Sequence, residues 1–89
     1  MEFAEKLYIG LSIRKKRERV IERMEQGKML LSIYCVTKAS NPNDLYDIYS
    51  YHELRQSYYK EHPVEVLGIA GSWEEAVGLV AHMITKIIH

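Results

Sequence analysis

Gly68, Gly71 and Ser72 follow an apolar run and directly precede the helical pattern SWEEAVGLV, a spacing that sets a strand's carboxyl end against a helix amino end. Backbone amides left free at such a joint attract anions, so a phosphate or carboxylate is the ligand this turn would take. It is neither a dinucleotide fingerprint, which needs three glycines in a fixed frame, nor a P-loop, which needs Gly-Lys-Ser/Thr. Ser72-Trp-Glu-Glu75 is also a capping box, in which serine satisfies one amide and the glutamate reaches back to the serine N–H. Glu74 and Glu75 put negative charge where an anion would sit. A tight architectural turn is therefore the leading reading of the segment and anion binding its alternative.

The second group is basic. Residues 12–28 hold Arg14, Lys15, Lys16, Arg17, Arg19, Arg23 and Lys28 against three glutamates, although the whole chain is neutral. Arg14, Lys15, Lys16, Arg19 and Arg23 could grip phosphates. Nothing beside them reads bases, and Glu18, Glu22 and Glu25 are spaced for pairing along a solvated helix face, so nucleic acid is the weaker alternative. Cys35, the only cysteine, sits within an apolar run, where a thiol behaves as a small hydrophobe. His52, His62, His82 and His89 are scattered and do not form a ligand pair at i, i+4. No acid and base pair, nucleophile with a base, or metal cluster has usable spacing, so no catalytic residue, metal ligand or cofactor is assigned.

Aromatic and apolar residues form the third group. Tyr46, Tyr49, Tyr51, Tyr58 and Tyr59 crowd one stretch, and tyrosine suits interfaces because its ring buries area while its hydroxyl stays bonded. Alternation assigns Tyr49, Tyr51 and Tyr58 to the core. It leaves Tyr46 and Tyr59, with Leu79 and Met83 on the flank of the last helix, as the candidate interface.

The elements that must hold these residues follow from periodicity. Ser12 is the expected N-cap of a helix to Gln26, with Ile13, Val20 and Met24 on its buried stripe and Gly27 stopping it. Met29 to Thr37 is apolar and β-branched, and reads as the central strand, buried on both faces. ASNPND turns the chain at residues 39–44, and Leu45 to Tyr49 returns as a hairpin partner. The Ser50-Tyr-His-Glu53 capping box opens a helix from Tyr51 to Lys60. A strand from Val64 then leads into the last helix, whose buried face is read as Trp73, Ala76, Val77, Val80, Ala81, Ile84, Ile87 and Ile88.

The order is helix, strand, strand, helix, strand, helix: a single α+β domain over residues 1–89, with a three-stranded sheet in the order 2-1-3 and helices on one face. If Leu7 to Ile9 is a strand, the sheet gains a fourth member and becomes ferredoxin-like. The start MEFAEK lacks a signal-peptide pattern and no apolar run is long enough to span a bilayer, so a cytoplasmic protein without membrane contact is expected. A chain of 89 residues has a thin stability margin, for which self-association is a common remedy.

The segments LYIG, SIRKKRERVIERMEQGK, LLSIYCVT followed by ASNPNDL, ELRQSYYK and VLGIAGSWEEAVGLV together resemble a group of short uncharacterised bacterial proteins, the block from Leu67 to Ala76 being the most specific. The resemblance implies a stand-alone protein of this size and brings no activity with it. The expected function is a non-enzymatic interaction or regulatory module acting as a homodimer or through a protein partner. Nucleic-acid association through the basic helix 12–27 and phosphometabolite binding at Gly68 to Ser72 are the alternatives.

Overall fold

A computed structural model describes residues 1–88, with side chains through Ile87. Its strands are β1 (Glu2–Ile9), β2 (Tyr34–Lys38), β3 (Tyr46–Ser50) and β4 (Glu65–Ala70), and its helices α1 (Arg17–Glu25), α2 (Tyr51–Leu54), α3 (Ser57–Glu61) and α4 (Trp73–Ile88). A 3₁₀ turn, Leu11–Lys16, leads into α1. The sheet has four strands in the order β1-β4-β2-β3, with β1 parallel to β4 and the other neighbours antiparallel. The sheet is thus four-stranded, as the alternative has it, but it is not ferredoxin-like, because β1 pairs parallel with β4 and helices lie on both faces. The expected 2-1-3 order survives within it as β3-β2-β4, and β1 extends it beyond β4.

The helices cover both faces of the sheet, not one. Ile13, Val20 and Met24 pack with Cys35, Tyr51, Leu54, Val66 and Ile69 on one side. On the other, Ala76 and Met83 of α4 pack with Val36 and Ala70. Adjacent residues Cys35 and Val36, or Ile69 and Ala70, serve opposite cores, as strand alternation requires. Val66 and Ile69 share a core although three residues apart. The ladder steps from Val36↔Gly68 to Thr37↔Val66, leaving Leu67 as the extra residue of a bulge that resets the phase.

α1 ends as the sequence predicts. Gly27 adopts φ 70°, and the N–H groups of Gly27 and Lys28 donate to the carbonyls of Met24 and Arg23, a Schellman closure. The buried Tyr51 hydroxyl donates to Lys28 O at 2.8 Å and fastens that end to the start of α2. The strand read over Met29 to Thr37 is shorter, because the chain leaving α1 must cross to the sheet. Residues 29–33 form a loop in which Ser32 takes φ 59°, and pairing starts only at Tyr34. Met29 is 66% exposed and Leu31 85%. The helix read over Tyr51 to Lys60 is split, since Gln56 is extended and starts α3. Tyr51 is core and Tyr49 half-buried, whereas Tyr58 stacks on His62 near the surface.

Candidate functional site

The turn between β4 and α4 already holds an anion, and it is the protein's own. Ser72 Oγ accepts the Glu75 N–H at 3.1 Å, which is half of the expected capping box. The Glu75 carboxylate does not return to the Ser72 N–H. Its Oε1 accepts the Gly71 N–H at 2.7 Å and the Ser12 hydroxyl at 2.7 Å, and its Oε2 accepts the Ser12 N–H at 2.9 Å. Ser12 is therefore not a helix cap but one half of a latch tying the β1 end to the α4 start. Partial burial works to raise the Glu75 carboxyl, but the bonds from Gly71 and Ser12 outweigh it and hold the group below its ordinary range. Gly10 makes room for the latch, as a Cβ there would overlap the Glu75 carboxylate. A Cβ on Gly71 would overlap the Ser12 hydroxyl.

These contacts fill the place proposed for a phosphate. Gly68 is not in the turn but buried in β4, between Tyr8 and Leu79, each 3.4 Å from where its Cβ would lie. Gly71 borders a cleft. That cleft, about 420 Å³, is lined by Ser12, Ile13, Lys16, Arg19, Val20, Arg23, residues 30–33 and Gly71. The fold thus divides the basic run. Lys16, Arg19 and Arg23 face this cleft, while Arg14 and Arg17 border a separate hollow with Tyr8, Leu79 and His82. Lys15 joins Arg14, Lys16 and Arg19 on the exposed surface between the two. The apolar pattern of residues 29–37 assigns Leu30 and Leu31 to strand core, which hides their place at the cleft.

The candidate interface also changes. Met83 is 4% exposed and Leu79 packs against the core that it shares with Val36 and Ala70, so both face the sheet. Tyr46 is half-buried on the same side, and Tyr59 is held edge-on between Tyr49 and Tyr58, at centroid distances of 5.7 and 4.9 Å. The residues that α4 turns outward are Trp73 (52% exposed), Val77 (46%) and Ile87 (59%), with Val80 and Ile84 half-buried beside them. Of the face that periodicity assigns to the core, Ala76 and Val80 pack on the sheet, Trp73, Val77, Ala81 and Ile87 are exposed, Ile84 is half-buried, and the Ile88 side chain lies outside the described residues. The Glu75 latch and the close approach of Leu79 to Gly68 fix the rotation of α4, and neither is visible on a helical wheel.

Cys35 is buried, and burial pushes its thiol up to about 12, so no thiolate is available at neutral pH. Burial and the neighbouring Asp47 carboxylate also push Tyr49 up to about 12. Among the described residues no group of three His, Cys, Asp or Glu side chains could hold a metal ion. His82 lies edge-on to Tyr8, and His89 lies outside the described residues. Among the described residues no helix is long and apolar enough to cross a membrane. No family model, curated protein or solved structure matches the chain.

Proposed function

We propose that the protein is a non-enzymatic interaction module that assembles as a homodimer through the outer face of α4. The observation that carries this reading is the stripe Trp73, Val77, Val80, Ile84 and Ile87, which recurs at alternating spacings of four and three along the flank of α4: Val80 packs on the sheet, Ile84 is half-buried, and Trp73, Val77 and Ile87 are exposed. Such spacing is the seam of a paired helix, and its exposed members leave apolar surface uncovered in the monomer. Over 16 residues the helix offers about 24 Å of it.

The charges select a second copy as the occupant, and an antiparallel one. About an axis near Val80 and Ala81, Trp73 of one copy meets Ile87 of the other and Val77 meets Ile84. The acidic first turn, with Glu74, then lies beside the partner's basic last turn, with Lys86, at both ends. A parallel pair would set Glu74 against Glu74 and align the helix dipoles unfavourably. The small Ala81 at the centre lets the two backbones approach. The non-enzymatic part of the reading is supported by Cys35, held protonated, and by Glu75, whose oxygens are engaged by the protein's own donors.

Light scattering at micromolar concentration tests the assembly. The wild type is expected at twice the monomer mass, and Val77→Asp and Glu74→Lys at the monomer mass with unchanged circular dichroism. Glu74→Lys combined with Lys86→Glu is expected to restore the dimer. A monomeric wild type, or a double variant no better than the single one, would refute it.

A further inference from the structure

We infer that the cleft between α1 and the loop of residues 28–33 binds an acidic peptide segment carrying aliphatic side chains. The cleft lies on the side of the sheet opposite α4 and does not depend on the dimer. One rim is cationic. Lys16, Arg19 and Arg23, three and four residues apart, fall on one side of the helical segment and span two turns, about 10 Å. The lining contains no acidic side chain to neutralise them. The floor is aliphatic, with Ile13, Val20 and Ile33 buried and Leu30 half-buried. The facing lip carries Leu31, which is 85% exposed on a loop that holds Ser32 at φ 59°.

Each feature narrows the ligand. A lone phosphate or carboxylate reaches only one turn of a rim this long, and it leaves the aliphatic floor and lip uncovered. A nucleic-acid strand brings bases, but the lining has no aromatic ring on which to stack them. An extended peptide repeats its side chains on one edge about every 7 Å, so acidic residues at alternate positions meet successive cations on the rim. The intervening side chains then turn toward Leu30, Leu31 and the floor. Burying them offsets the cost of ordering the peptide, and the charge pairs fix its register.

Fluorescence anisotropy with a labelled octapeptide of alternating Glu and Leu tests the site, using the full chain and, in parallel, its Val77→Asp variant. Saturable binding that weakens with salt is expected for both chains. Arg19→Glu with Arg23→Glu should weaken it by about tenfold or more, and Leu31→Ser by about fivefold. These residues are exposed, and circular dichroism verifies that the variants fold. An alternating Glu and Ser peptide should bind at least about tenfold more weakly, because it cannot use the aliphatic floor. Equal binding of the Glu and Ser peptide, tighter binding of a single-stranded oligonucleotide, or no saturable binding of the Glu and Leu peptide would each overturn the inference. Binding by the wild type that is lost in Val77→Asp would overturn it as well, by making the site a property of the dimer.

Discussion

At the scale of single residues, Glu75 has the largest effect on the architecture. Three donors converge on one carboxylate, two from Ser12, 63 positions away, and one from Gly71, four positions away. Half of this was legible, since the serine and glutamate of the capping box are local. The other half was not, because nothing in the neighbourhood of Ser12 names a partner near residue 75. Gly10→Ala tests the latch sterically. The backbone of Gly10, at φ −64° and ψ 146°, suits any residue, so the cost comes from displacing the Glu75 carboxylate from its donors. Urea denaturation should show a loss of about 1 to 2 kcal/mol. The charge gives a second test. The Glu75 carboxyl is depressed in the folded state, so its contribution is fully present above the ordinary glutamate pKa and is lost as pH falls through the depressed value. Glu75→Gln should lower stability at neutral pH and flatten the acid limb of a stability profile against pH. An unchanged acid limb would show that the carboxylate has no such role.

Among the elements, α4 is where sequence and structure diverge most usefully. Local signals served well elsewhere. The Schellman end of α1, the reversal after β2, the capping box at Ser50 and the β3-β2-β4 order all depend on neighbouring residues or on hydrophobic ranking. The phase of a helix with two apolar stripes depends instead on what it is bolted to. Reading the richer stripe as core turns the helix too far toward Trp73, Val77 and Ile84, although Ala76 and Val80 do face the sheet, and the same preference for apolar runs makes a strand of residues 29–33. Two substitutions separate the stripes. Met83→Ala removes a buried side chain and should cost the monomer about 2 to 4 kcal/mol. Ile87→Ala should change monomer stability by less than about 0.5 kcal/mol and weaken self-association. Thermal and urea denaturation of both variants, made in the monomeric Val77→Asp background, would reveal any reversal of that ranking.

The whole molecule is a thin mixed sheet with a helical layer on each side. α4 buries one face against the sheet and leaves Trp73, Val77 and Ile87 exposed, where the proposed pairing would place another copy. α1 and the 3₁₀ turn cover the opposite side and leave a cationic, aliphatic cleft. The stability margin of a chain this short is consistent with assembly, since pairing α4 would cover the exposed Trp73, Val77 and Ile87. The most direct measurement of the central claim is disulfide crosslinking of Ala81→Cys, whose position lies at the proposed two-fold axis. Cys35 can stay in place because burial keeps it unreactive. Mild oxidation is expected to give a covalent dimer with Ala81→Cys and none with Glu61→Cys, which is exposed on α3 away from the seam. Failure of Ala81→Cys to crosslink under conditions where the wild type is dimeric would contradict the antiparallel α4 pairing.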